Sequence, residues 1–378
     1  MGVIRFLLAM TVVLGHCAGF YFVGGTNAVQ IFYMISGFLM SYILVEQRAY
    51  KTVFDFYLSR YLRLYPIYIV VAAITLGVFA LASATGQNIR YFSGINFWDL
   101  YKNNTISANI YLVFSNLTLL FQDWVLFLET CGGHLAFTPD FAKCTTPLWR
   151  GLLVPQAWSL GVEISFYLVA PFVLPKKKIF FCFLVGAILI RAFLILIGIG
   201  LKDPWTYRFF PAEILFFLLG SFSHQYVTLW YKKFFVLEKM PMIAKTCMGT
   251  VLVISTLYPY IPAHEWVKST FLFGVIFFVL PLAFLFSNRN TWDRRLGDLS
   301  YPIYICFIVV IYVVDLLLGA FSIHWKTLRV VLVLGLTLYG SILLHKYIII
   351  PVDRWRARIR VPAARDDLRD SEERLSVR

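Results

Sequence analysis

Residues 157–199 read AWSLGVEISFYLVAPFVLPKKKIFFCFLVGAILIRAFLILIGI. Two apolar runs, 157–174 and 179–199, flank Lys176, Lys177 and Lys178. A helix needs roughly 20 mostly apolar residues to cross hydrocarbon. Only Glu163 and Arg191 carry charge inside these runs, so neither has the polar face of a soluble helix. The three lysines therefore read as a tight turn at a membrane face. Basic loops stay on the cytoplasmic side, and this turn sets the orientation of everything around it.

The same pattern extends outward through the chain. Further apolar runs occupy 3–23, 28–45, 64–83, 209–228, 246–261, 268–287, 299–320 and 327–350. Of the 378 residues, 60% are hydrophobic and 14% charged, against roughly 25% charged in soluble domains. No linker or low-complexity block divides the chain before residue 350, and no internal repeat is evident. The reading is an all-α polytopic bundle of about ten transmembrane helices, with a membrane domain over 1–350 and an Arg-rich cytoplasmic tail over 351–378. The tail alternates Arg with Asp and Glu, as a solvated end does. The first run has a thin basic flank, Arg5, and no small-residue cleavage site before Tyr21. It reads as an uncleaved helix rather than a signal peptide.

The stretch 108–128 is ambiguous, because Asn109, Asn116, Gln122 and Asp123 interrupt it. Charge decides. If it does not span, segments 46–63, 175–178, 229–245, 288–298 and 351–378 face inward with 4, 3, 4, 3 and 8 Lys or Arg. Segments 24–27, 84–156, 200–208, 262–267 and 321–326 face outward with 0, 4, 2, 0 and 1. If it spans, every later loop swaps sides against the positive-inside rule. Ten spans, both termini inside and an interfacial or re-entrant 108–128 follow. The net charge of +14 is thereby explained by orientation in the bilayer. No Lys/Arg and aromatic surface suited to nucleic acid is present.

Cys17, Cys182, Cys247 and Cys306 fall in apolar spans, as small core residues do. Cys131 and Cys144 fall in the long outer loop. An oxidising compartment permits a disulfide there, but spacing alone leaves both a bridge and two free thiols open.

A charge near the bilayer centre costs on the order of 3 kcal/mol, so each needs a reason. His16 lies eleven residues past Arg5, roughly 16 Å along a helix, which places it mid-membrane. His134, His264 and His324 fall at outer loops, and His224 and His345 near inner helix ends. A neutral imidazole at that depth is either a packed hydrogen-bond donor or a proton-exchanging group. Arg60 and Arg63 sit three apart at the cytoplasmic start of the third span, on one helix face. They serve either as anchors or as a fork for phosphate oxygens. Glu163, roughly 8 Å inward from the interfacial Trp158, reads as a structural hydrogen bond or as a partner that orients His16. Arg191, Glu213 and Asp315 read as cross-helix pairs or as lining of a substrate path. Ser36-Gly37 allows close helix approach. No metal is expected.

Four motifs and a weaker fifth resemble acyltransferase family 3, integral membrane proteins that O-acylate bacterial glycans and related acceptors. They are Arg5 to His16 with its Val-rich run; Ile31-Phe-Tyr-Met-Ile-Ser-Gly-Phe38; Ser59-Arg-Tyr-Leu-Arg-Leu-Tyr-Pro66; Trp158-Ser-Leu-Gly-Val-Glu-Ile-Ser-Phe-Tyr-Leu-Val-Ala-Pro171; and Gly297-Asp-Leu-Ser-Tyr-Pro-Ile-Tyr304. The resemblance implies a catalytic His16, with Glu163 as the family's carboxylate. It implies Arg60 and Arg63 as the site of a cytoplasmic acyl-CoA donor, acetyl-CoA above all. Ser36, Trp158 and Arg191 are expected on the substrate side. The acceptor would be a glycan or lipid-linked sugar, and the location the bacterial inner membrane. His16 would act as general base or as covalent relay. Two departures stand out. Phe307 takes the place where many members carry a second histidine, and Ile348-Ile-Ile-Pro351 lacks the Glu of the family's Ile-Glu-x-Pro. The competing readings are a polytopic transporter or glycan flippase, which would use the intramembrane charges as a path, and a non-catalytic scaffold. No paired half-helices of the transporter kind are visible.

Overall fold

The computed structural model describes residues 1–87, 97–131, 134–144, 146–234, 240–321 and 325–361. The chain is helical almost throughout. Helices α1 (Gly2–Ala18), α2 (Gly25–Ser41) and α3 (Val53–Ala84) come first, then short α4 (Phe97–Asn103) and α5 (Ile106–Thr118). A hairpin of β1 (Leu128–Cys131) and β2 (His134–Phe137) follows, with Leu128 opposite Phe137. Then come α6 (Trp158–Val173), α7 (Lys177–Leu196), α8 (Phe210–Phe222), α9 (Thr228–Phe234), α10 (Met240–Leu257), α11 (Glu265–Arg289), α12 (Thr291–Ala320), α13 (Lys326–Leu344) and α14 (Ile350–Ile359). Six of the described segments are long and apolar enough to cross a membrane, and α1 is a shorter apolar helix.

The lysine turn after α6 marks one end of the bundle. At that end Gln225 donates to Leu174 O, and His224 Nε2 lies 3.0 Å from Glu46 Oε2. The amino terminus is there too. Asp293, in the first turn of α12, accepts the Gly2 and Val3 N–H groups at 2.8 Å each and the Met1 amine at 3.1 Å. A helix N-terminus leaves such donors unpaired and favours negative charge, so one buried carboxylate caps α1 and binds it to α12. The last described residue, Val361, donates to Ala49 O at 3.1 Å. Both described ends of the chain thus lie at the lysine end.

Helices α2 and α8 touch backbone to backbone. A Cβ on Gly37 would fall 1.9 Å from Phe217 O, and one on Gly220 would fall 1.8 Å from Met34 O. Ser221 Oγ donates to Gly37 O at 2.9 Å across the same contact. Small residues at such crossings let helices pack where lipid provides no hydrophobic drive. This is the close approach expected of Ser36-Gly37.

The ambiguous stretch does not run through the bundle. At 13 residues, α5 is about 20 Å long, and Leu119 ends it in a left-handed conformation with φ 64°. Tyr61, Tyr65 and Tyr68, aligned on one face of α3, donate to Thr118 O, Leu117 O and Asn116 O at 3.0, 2.9 and 2.9 Å. They satisfy carbonyls that a helix C-terminus leaves bare. The chain then reverses. Gln122 Nε2 donates back to Ser115 O and to Tyr68 OH, and the strand hairpin returns toward Trp205, whose Nε1 donates to Pro139 O. The stretch enters and leaves on one side.

Two expectations change, and one alternative that the sequence left open is resolved. The first run ends at Ala18 rather than residue 23, because Gly19 takes φ 69°, so His16 lies in the last turn of α1 and not at its middle. The thiols of Cys131 and Cys144 are free, and Cys144 Sγ lies 3.0 Å from Thr138 Oγ1. Residues 351–361 are not a solvated tail. They continue α13 as α14, and Arg356 donates to Ser59 O at 2.8 Å. Residues 362–378, and His324, lie outside the described residues.

Candidate active site

Glu163 sits in the second turn of α6. Its Oε1 accepts from Ser36 Oγ on α2 at 2.7 Å and from Tyr167 OH, one turn along α6, at 2.5 Å. A carboxylate inside the bundle is thus held by two hydroxyl donors. Glu163 lines a cavity together with Arg5, Arg63, Tyr33, Tyr301 and Tyr304. A second cavity lies toward the lysine end between α1, α3, α12 and α14. Arg5, Arg63 and Tyr301 line both, so the two spaces share one cationic wall. Among the described residues, neither the Arg5 nor the Arg63 guanidinium is hydrogen-bonded or ion-paired. Two guanidiniums with no bonded carboxylate, beside Glu163, Asp298 and three phenols, make a site suited to an anionic ligand with a polar arm.

The arginine pair divides its labour. Arg63 faces both cavities, but Arg60 is 1% exposed and lines neither. Arg60 Nη2 donates to Tyr50 OH at 2.7 Å, and its guanidinium carbon lies 5.9 Å from the Tyr50 and Phe56 rings. The expectation that both guanidiniums address one anion therefore fails geometrically. The i and i+3 side chains flank the same ridge of α3, and the 47–52 loop covers only one of them. Tyr50 serves as the counter-group. Burial pushes its phenol up, but Arg60 and Arg360, with the Ser59 hydroxyl, outweigh that and bring it to about 7.

His16 does not meet Glu163. Its ring packs 5.2 Å from Phe307, which lies 6.4 Å from Tyr304 on the cavity wall. The residue that departs from the family pattern is therefore the one against the histidine. Near this end stands a polar aromatic group the sequence did not single out. Arg208 pairs with Asp203 through Nε at 2.6 Å and Nη2 at 3.0 Å, and lies 4.3 Å over the Trp158 ring. Tyr304 OH bonds Ser159 Oγ at 2.8 Å and Gln156 O at 3.1 Å. Trp158 is thus a buried platform for Arg208.

Arg191 lies apart from both groups. Its Nη1 pairs with Glu213 Oε1 at 2.7 Å, and Glu213 also accepts from Gln30 Nε2. The pair borders a wide apolar cleft on the other side of α2, lined by Phe216, Phe273 and Phe277. The cross-helix structural reading fits it. Asp315 is likewise paired, with Arg329 at 2.6 Å. Among the described residues no cluster of His, Cys, Asp or Glu is arranged to hold a metal. Ile349, where the family's Glu would stand, lines the cavity at the lysine end, and Asp353 lies one turn further on in the same lining.

These features define a multi-pass membrane protein with a charged interior. The family model for acyltransferase family 3, described as an acyltransferase domain, matches residues 1–346, and the chain belongs to that family. Membrane acyltransferase activity goes with that membership. No curated protein and no solved structure is detectably similar to the chain.

Of the site residues, Ser36, Glu163 and Arg63 come together, His16 and Trp158 share the far end, and Arg60 and Arg191 lie elsewhere. Tyr167 was legible as the i+4 neighbour of Glu163. Arg5, Tyr301 and Tyr304 stood inside quoted motifs without a role. Arg208 carried no signal beyond being a loop arginine.

Proposed function

We propose that the chain transfers an acyl group, acetyl in the first instance, from cytoplasmic acyl-CoA to a hydroxyl of a cell-surface glycan or its lipid-linked precursor. It does so in the bacterial inner membrane, with ten spans and both termini inside. The observation that carries the reading is the pair of guanidiniums, Arg5 and Arg63, with no bonded carboxylate, on the wall shared by two neighbouring cavities, with Glu163 beyond them. Arginine forks suit phosphate oxygens. A donor whose phosphates rest at Arg63 threads its thioester past Glu163 toward Tyr304. His16 takes the proton of the acceptor hydroxyl as the new O–C bond forms and the C–S bond breaks, and the proton leaves with the CoA thiol. Phe307 packs against both His16 and Tyr304, so its ring forms part of the wall along which the thioester approaches the histidine. Glu163 holds the arm in register rather than charging His16. Arg60, braced by Tyr50, keeps the start of α3 rigid beneath Arg63.

Mass spectrometry of surface glycans from cells with and without the protein tests this. One acyl group per acceptor unit is expected in wild type and none in His16→Ala at equal membrane level. Unchanged acylation in His16→Ala contradicts the mechanism. Altered glycan export without altered acylation favours a flippase.

A further inference from the structure

The family match ends at residue 346, and nothing above gives α14 a role in the chemistry. Its placement argues for one. A π turn, His345–Ile349, joins it to α13, and Pro351 sits in its first turn, where a missing N–H costs nothing. Two bonds clamp it across the start of α3. Arg356 Nε donates to Ser59 O at 2.8 Å, and Val361 N–H donates to Ala49 O at 3.1 Å. Its inner face closes the cavity at the lysine end, where Val352, Asp353 and Arg356 stand in one lining with Arg5, Arg63 and Asp298. Arg356 is 6% exposed. Its Nη1 pairs with Asp353, whose side chain is 51% exposed.

Three guanidiniums thus border one space, and only Arg356 has a carboxylate bonded to it. Asp298 and Asp353 stand in the same lining, so three guanidiniums face two carboxylates, and the excess positive charge favours an added anion. The Asp353 carboxylate takes up the Arg356 guanidinium that would otherwise be open to such an anion.

We propose that α14 is part of the donor site, with Arg356 and Arg63 gripping the phosphates of the nucleotide end of acyl-CoA and Asp353 acting as the internal anion those phosphates displace. This rests on the acyl-CoA reading above. It makes the residues after the family match a positioning element for the donor. It also predicts opposite effects from two neighbours on one helix. Removing Arg356 weakens the donor, and neutralising Asp353 strengthens it.

Calorimetric titration of the purified full chain with CoA, and with pantetheine, which lacks the nucleotide and its phosphates, tests this. Arg356→Ala is expected to weaken CoA about tenfold or more, the loss of a charge-assisted hydrogen bond. Asp353→Asn is expected to tighten CoA several-fold. Pantetheine binding is unchanged in both. Because Arg356→Ala also loses the bond to Ser59, the half-exposed Asp353→Asn is the deciding variant. A purely structural pair gives a lower melting temperature in Asp353→Asn with the same CoA affinity, and that result overturns the proposal. So does anionic phospholipid whose retention depends on Arg356 while CoA affinity does not, which assigns the site to a lipid headgroup. Wild type that binds no CoA defeats the donor reading itself. Wild type that binds CoA, with both variants unchanged, defeats only the role of α14.

Discussion

At the residue scale, the account separates guanidiniums that face a ligand from one that holds the frame. Arg60 and Arg63 look alike in the sequence, three positions apart in one motif. What separates them is the 47–52 loop, which folds Tyr50 over Arg60 and leaves Arg63 open to the cavities. Sequence spacing carries the face of a helix but not what covers it. Tyr50 makes the difference measurable. Its phenol, near 10 in an unfolded chain, is brought to about 7 by Arg60 and Arg360 against the opposing effect of burial. An acid whose pKa is lowered on folding stabilises the fold above its unfolded pKa and loses that contribution as pH falls through the folded one. The Tyr50 contribution therefore grows between about pH 7 and pH 10. The expected result is a tyrosinate absorbance step near neutral pH in wild type that is missing from Tyr50→Phe. Identical titration curves for the two proteins would show that Arg60 is not paired in this way.

At the scale of elements, the hydropathy pattern was legible wherever a run was long and uninterrupted, as in α7 and α12. The 108–128 stretch, which the charge balance reads as non-spanning, turns back on itself after Leu119 in the structure. Depth was less legible. A single left-handed residue, Gly19, shortens α1 and moves His16 from the middle of the helix to its last turn. Glu163, meanwhile, shares a cavity with Arg5 near the other end of α1. Hydropathy cannot register such an offset, because an apolar run looks the same whether its last turn is helical or not. The α14 segment was misread for the opposite reason. Its alternating charges look solvated, yet Arg356 is buried against Ser59 O. Helix contacts rest on glycine where backbones meet. Gly220→Val forces a side chain to within 1.8 Å of Met34 O, and overpacking of this kind costs about 1–3 kcal/mol. Thermal unfolding in detergent is expected to show a clear drop for Gly220→Val. Gly77→Val, at a position with nothing within 4 Å, should stay near wild type. Equal melting temperatures would mean that α2 and α8 are not in contact there.

At the scale of the whole molecule, the bundle has two polar stations joined by an aromatic wall. One, with Arg5, Arg63, Glu163 and the face of α14, opens toward the lysine end. The other, with His16, Arg208 and Trp158, lies toward the loop end. Tyr304 and Phe307 stand between them. This arrangement fits a reaction whose donor and acceptor arrive from opposite sides, with the acyl group alone passing through. The most direct measurement uses sealed vesicles that carry the protein and the native acceptor, with acyl-labelled CoA supplied only at the face bearing Lys176–Lys178. The account predicts that label accumulates as an ester on acceptor at the opposite face while CoA stays where it was added, and that Glu163→Gln and Arg63→Ala lose this. Esterification only when CoA is supplied at the loop end, or undiminished transfer in both variants, would contradict it.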